Sequence, residues 1–301
     1  MTAYSSATID TDFTEHLAQL RRAVEARLDA LLPAASNERD LVASAMRDCT
    51  LAPGKRMRPI LLLMAAGGLG AGTPAALDLG CAVEMVHAAS LVLDDMPCMD
   101  NARVRRGRVT VHLAFGEDVA ILAAVALLSR AFALVASIEG VQPLVRTQLV
   151  EILANAIGSQ GLVRGQLQDL RDGLHPRSAE EIATTNNLKT GVLFGAIMDM
   201  AYLISDAPPA VRGVLQGFAL ELGQAFQLYD DLQDHDLDTS KDCGKDDGKS
   251  TLVALYGESE VRQRLHGHLS RAHACLDQAY SRDEYIGRFL QMIFIKALQR
   301  A

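Results

Sequence analysis

Residues 223–251 read GQAFQLYDDLQDHDLDTSKDCGKDDGKST, and at their centre stand Asp230, Asp231 and Asp234. On a helix, residues four apart share a face, so Asp230 and Asp234 point the same way with Asp231 beside them. Three clustered carboxylates repel one another, and a cation is the simplest partner that makes them tolerable. An all-oxygen donor set suits a hard divalent ion such as Mg2+. A second cluster, Asp94, Asp95 and Asp100, stands far upstream in LVLDDMPCMDNARVRRGR. Alone, a DDxxD pattern is weak and mostly marks a solvated helix surface, just as Pro97 alone marks a helix end. Two such clusters, each beside an apolar helical stretch and a basic motif, point to two metal-bearing walls across one cavity.

The rest of the composition agrees with helices. The 301 residues are 49% hydrophobic, only 5% aromatic and without Trp. With Ala and Leu abundant and strand signals scarce, this is an all-α composition of about ten or more helices. There is no Pro/Ser linker, composition shift or fixed-period repeat, so residues 1–301 read as one domain. A net charge of -8 argues against a nucleic-acid binder, though local cations still decide whether an anionic substrate is held. Five scattered cysteines without a CxxC pair fit reduced thiols in a cytoplasmic protein. The N-terminal stretch is neither a secretion signal nor an Arg-rich transit peptide. The longest apolar run, 119–138, is interrupted by Ser129 and Arg130 and reads as a buried core helix rather than a membrane span.

Apolar periodicity predicts a helix over 13–32 and another from about Asn37 to the break at APGKRMRP (52–59). A buried helix then starts with Pro59 in its first turn. A long helix over 75–96 carries His87 and ends in the first acidic cluster. Further helices are expected at 117–138, 143–171, 179–204, 208–235 and 251–281, with a helical tail over 282–301. The 238–250 segment, rich in Gly, Lys and Asp, reads as a mobile loop.

Basic residues cluster where a helix needs compensation. GKRMRP packs Lys55, Arg56 and Arg58 against a helix N-terminus, where the dipole disfavours cations, so an anion such as a diphosphate is the natural partner. His87 precedes Asp94 by seven residues, two helical turns, and so shares its face. Arg105 and Arg106 follow the first acidic cluster and offer planar forks for phosphate. Gln166 and Asp169 share a face in GQLQDL, Lys189-Thr190 interrupt an apolar helix, and Gln227 lies one turn before Asp231. Lys241 and Lys249 sit on the predicted loop, where they can close over a bound phosphate. GKST (248–251) lacks the strand and the upstream glycine that a P-loop requires, which excludes an NTPase.

Taken in order, GKRMRP, HAASLVLDDMPCMDNARVRRG, GQLQDL, LKTG, FQLYDDLQD and KD…GKST resemble the trans-polyprenyl diphosphate synthases, most of all the bacterial geranylgeranyl diphosphate synthases of carotenoid pathways. The resemblance covers about residues 40–260. It implies an isoprenoid synthase-like helical bundle around a deep cavity, working as a homodimer without stable membrane insertion. It implies Mg2+, two or three ions, held by Asp94, Asp95, Asp100, Asp230, Asp231 and Asp234. Lys55, Arg58, His87 and Arg106 match the positions that hold isopentenyl diphosphate. Arg105, Lys189, Lys241 and Lys249 match those contacting the allylic diphosphate, with Gln166 and Asp169 beside them and Thr190 and Gln227 near the reacting carbon. The segment between Lys241 and Lys249 is slightly shorter than in the family pattern.

Product length is expected to follow from the cavity floor. Ala89 and Ser90 lie a turn deeper than Asp94 on its helix, where farnesyl-producing members carry a bulky aromatic. The small pair implies room for a geranylgeranyl chain, capped further on by Met85 or Val86. A farnesyl diphosphate synthase is the alternative, and a non-catalytic isoprenoid-diphosphate-binding subunit is another. The subunit reading expects eroded carboxylates, and these are complete. A class I terpene cyclase would replace the second Asp cluster and would not need the paired basic motifs.

Overall fold

Amphipathic spacing becomes helix almost everywhere in the computed structural model, which describes residues 11–172, 177–234, 252–280 and 285–298. The first four helices are α1 (Thr11–Leu31), α2 (Leu41–Thr50), α3 (Met57–Gly68) and α4 (Thr73–Asp94). A small antiparallel hairpin follows, β1 (Val104–Arg105) and β2 (Arg108–Val109), in the register Val104–Val109 and Arg105–Arg108. Next come α5 (Val111–Phe115), α6 (Glu117–Ala136), α7 (Pro143–Ile157), α8 (Leu162–Asp172) and α9 (Ala179–Asn186). A π-helical turn, Asn187–Gly191, runs directly into α10 (Val192–Leu203). The chain continues through α11 (Pro209–Asp234), α12 (Leu252–Tyr256), α13 (Glu258–Ala279) and α14 (Tyr285–Leu298).

Several boundaries differ from the periodicity. The second helix starts at Leu41 rather than near Asn37, because the Asp40 side chain accepts from the Ala43 N–H and closes the turn there. The stretch expected as one helix over 143–171 breaks at Gly158–Gly161, and that over 251–281 breaks at Gly257, whose φ is +78°. The hairpin was not expected, since two residues per strand leave no alternation to read. The proposed loop over 238–250 lies outside the described residues.

Core packing explains why two helices dominate. α4 lies against α3 and α6, and α11 lies against α10 and α13. Both α4, from Pro74, and α6 are long and apolar enough to cross a membrane, but their most apolar windows are 67% and 44% buried. α6 is therefore less buried than the core helix expected there. Ala120, Ala123, Ala124 and Leu127 face the core, while Ile121, Leu122 and Val125 stay exposed. The core itself draws residues from Phe13 near one end to Phe294 near the other. Cys49, Cys81, Cys98 and Cys275 are free thiols.

Candidate active site

The basic half is built where α3 begins. Arg56, the residue before α3, adopts the left-handed conformation (φ 48°) and is buried. Arg58, the second residue of α3, extends toward α4, where its Nη1 lies 3.3 Å from His87 Nε2. From the hairpin, Arg106 Nη2 reaches the same nitrogen at 3.4 Å. Arg106 lies so close to Gly54 that a Cβ there would stand 2.4 Å from its Nη1. A guanidinium only donates, so two of them on one imidazole nitrogen require that nitrogen to be a bare acceptor. Burial holds the His87 pKa well below its ordinary value, and the neighbouring Arg58 and Arg106 push the same way. Burial also lowers the pKa of Arg58 and of Arg106. Cations crowded together at such cost mark a place that expects an anion. Arg58 additionally sits 5.5 Å from the Phe194 ring centroid, which accepts its charge on an apolar wall.

The acidic half begins where α4 ends. Asp94 is its last residue, and the chain folds back so that Asp100 N–H donates to Asp94 O (2.9 Å) and Ala102 N–H donates to Asp95 O (3.2 Å). That fold-back, not helical periodicity, sets Asp100 close to Asp94. Burial pushes the Asp94 carboxyl up to about 6, with Asp100 and Asp95 adding to the shift against Lys189 and Arg105. Buried Asp95 accepts from Arg105 Nε at 3.0 and 3.3 Å.

Across from this turn, three close backbones carry the remaining polar groups. Gly165 on α8 packs on the π-helical turn so tightly that a Cβ would lie 2.5 Å from Lys189 N. This approach lets Lys189 Nζ donate to Asp169 Oδ2 at 2.7 Å. Although burial opposes its charge, Asp169, Asp94 and Asp100 together raise the Lys189 pKa. Gln166, beside it, is half-buried, and among the described residues neither atom of its amide finds a hydrogen-bond partner. Gln227 on α11 donates its amide N–H to Thr190 Oγ1. Further along α11, Asp231 Oδ2 accepts from Leu252 N–H (3.2 Å) and so caps α12, while the charge of Asp230 acts on Arg58.

The structure thus brings Arg58, His87 and Arg106 together, and Asp94, Asp100, Asp169 and Lys189 together. Lys55 is exposed on the loop before α3. Asp234 ends α11, and Lys241 and Lys249 lie outside the described residues. Ala89, Met85 and Val86 are fully buried, and Ser90 donates its hydroxyl to His87 O (2.9 Å). A small cavity between α4 and the hairpin is lined by Ala88, Leu91, Val92 and Asp95 together with Arg105 and Arg106. Sequence reading missed the partner of Arg56, which is Glu84: its Oε1 lies 2.9 Å from Arg56 Nη1. The signal was available, because Glu84 is the lone carboxylate within the apolar run 79–93.

An all-helical bundle that sets an anion-seeking arginine–histidine cluster beside two carboxylate motifs defines a class of proteins that handle phosphorylated ligands. The chain belongs to the polyprenyl synthetase family, whose pattern matches residues 39–282. It is 53% identical over 282 residues to the geranylgeranyl diphosphate synthase of Pantoea ananas, covering 93% of each chain. It is 47% identical over 277 residues to the protein of the same name from Pseudescherichia vulneris, covering 91% of this chain and 90% of that one. Among solved structures, it resembles an FPP/GFPP synthase from Zymomonas mobilis in its apo form. The TM-score there is 0.83 at 32% identity, covering 92% of this chain and 96% of that one.

Proposed function

We propose that this protein is a trans-prenyltransferase that condenses isopentenyl diphosphate with allylic diphosphates and releases geranylgeranyl diphosphate. The observation that carries the reading is the juxtaposition of two opposite charge fields, the Arg58–His87–Arg106 cluster and the Asp94–Asp100 turn, in a chain of this family. The names of the two bacterial relatives and the small side chains of Ala89 and Ser90 support the product length. Met85 and Val86 then cap the chain's far end.

In this reading Lys55, Arg58, His87 and Arg106 hold the diphosphate of isopentenyl diphosphate. Arg105 and Lys189 hold the allylic diphosphate, with Lys241 and Lys249 closing over it and Gln166 and Asp169 beside it. The residues present fit Mg2+. Their donors are carboxylate oxygens, and burial, with Asp100 and Asp95 close by, pushes the Asp94 carboxyl up to about 6, a shift that a bound cation would reverse. Mg2+ keeps waters and takes phosphate oxygens with one or two carboxylates. Asp94, Asp95, Asp100, Asp230, Asp231 and Asp234 would hold two or three such ions, which when bound neutralise charge on the leaving diphosphate. Thr190, whose Oγ1 accepts from the Gln227 amide N–H, and the amide oxygen of Gln227 stabilise positive charge at the reacting allyl carbon. Apolar walls keep water from that carbon. No side chain in these motifs is an obvious dedicated base, and the departing diphosphate takes the final proton.

The exposed apolar face of α6 supports a homodimer, the four free thiols support a cytoplasmic setting, and the core drawn from both ends supports one domain. The test is product analysis with Mg2+, isopentenyl diphosphate and, separately, dimethylallyl, geranyl and farnesyl diphosphates. Geranylgeraniol after dephosphorylation is expected. Farnesol as the end product would overturn the chain-length reading, and diphosphate binding without condensation would make the protein a non-catalytic subunit.

A further inference from the structure

Glu84 sits in the middle of an apolar helix, 3% exposed, where an unpaired carboxylate is costly. Its partner, the Arg56 guanidinium, is equally buried and does more than neutralise it. Arg56 Nη1 binds Glu84 at 2.9 Å while Nη2 donates to Ala52 O at 2.8 Å, and Nε lies 3.6 Å from the Glu25 carboxylate on α1. One fork therefore ties both ends of the 52–56 loop to α4. The tie explains how a non-glycine residue keeps a left-handed φ of 48° at the start of α3, a conformation that persists only where its surroundings over-determine it. Everything that faces the diphosphate hangs from this loop or from the next turn of α4. Lys55 precedes Arg56, Arg58 follows two residues on, Arg106 packs over Gly54, and His87 lies three residues beyond Glu84.

We infer that Glu84 is a positioning residue of the isopentenyl diphosphate half-site, locking the 52–58 loop through Arg56 so that Arg58, Arg106 and His87 are assembled before the anion arrives; this rests on reading that cluster as the isopentenyl diphosphate pocket. Glu84 is also the foremost attractive charge acting on both Arg58 and Arg106. The two roles have opposite signs. Were Glu84 only a counter-charge, removing it would leave the pocket more positive and lower KM for isopentenyl diphosphate. A positioning residue raises that KM when removed, and leaves the allylic side alone.

The test compares wild type, Glu84→Gln, the double variant Arg56→Met/Glu84→Met and Arg58→Ala, each with Tm, kcat and separate KM values for isopentenyl and farnesyl diphosphates. Glu84→Gln is expected to raise KM for isopentenyl diphosphate about tenfold, with the allylic KM within about twofold. The double variant removes both charges without leaving one buried and alone, so it regains Tm even where the single variant folds poorly. Its KM for isopentenyl diphosphate stays raised if the lock positions the pocket. A double variant with wild-type KM, or a Glu84→Gln variant with unchanged or lowered KM, overturns the assignment while Arg58→Ala still weakens isopentenyl diphosphate. If Arg58→Ala leaves that KM unchanged, the pocket reading itself fails and the assignment falls with it.

Discussion

The two halves of the site solve opposite electrostatic problems by different means. On the basic side, the cations are held in place in advance: Arg56 by buried Glu84, and Arg58 and Arg106 by hydrogen bonds to a neutral His87 on α4. On the acidic side, Asp94 is pushed up to about 6, and the compensating groups, Lys189 and Arg105, belong to a π-helical turn and a two-residue strand. One half is preassembled, and the other is left short of charge until something positive enters. Preorganisation on one side and charge deficit on the other suit a reaction in which one diphosphate is retained and the other departs.

The comparison breaks most visibly on the acidic side. Asp94→Ala or Asp230→Ala is expected to cut kcat by about 10^3-fold, because it removes stabilisation of the developing charge. Steady-state kinetics at saturating Mg2+ should show KM for isopentenyl diphosphate far less changed; equal losses in both would mean the halves are not separable. Second in size is chain length. Ala89→Phe overpacks a fully buried position, costing about 1–3 kcal/mol, and should shorten the main product to farnesyl. Sizing the alcohols tests it, and unchanged length would remove the cavity-floor argument.

Smaller effects sharpen the basic side. Gly54→Ala sets a methyl against Arg106, whose flexible end can move away, so Tm should hardly shift while KM for isopentenyl diphosphate rises roughly 3–10-fold. Calorimetry alongside kinetics distinguishes the two. Finally, His87 should stay neutral in the free protein, its NMR resonance flat from about pH 8 to pH 6, and should gain affinity for a proton when isopentenyl diphosphate binds. The stability consequence follows in sign. Below about pH 6.5 the unfolded chain takes up a proton on this residue that the folded chain refuses, so stability falls as pH drops.

Legibility in the sequence followed the range of the interactions. Helices with long apolar stripes, such as α1, α4 and α11, were readable because periodicity is local. Breaks at Gly158–Gly161 and Gly257 were not, since the apolar pattern resumes on the far side of each. The acidic and basic motifs singled out Asp94, Arg58 and Lys189, but not their pairings. Lys189 with Asp169, Arg58 with His87 and Arg56 with Glu84 span 20 to 29 residues, and nothing local encodes such contacts. Arg56 illustrates the cost: grouped with Lys55 and Arg58 as a third cation for an anion, it turns inward instead.

The π-helical turn at Asn187–Gly191 sets a rule for anyone redesigning this chain. A π turn holds one residue more than the α turn it replaces, and an α-helix advances about 100° per residue. Deleting a single residue there would let α9 and α10 fuse into an unbroken α-helix, but would swing Lys189 and Thr190 about a quarter-turn away from Asp169 and Gln227. Lys189 and Thr190 fix the side chains this segment must carry, and the π turn fixes its residue count as well; loop shortening and insertion libraries belong elsewhere in the molecule.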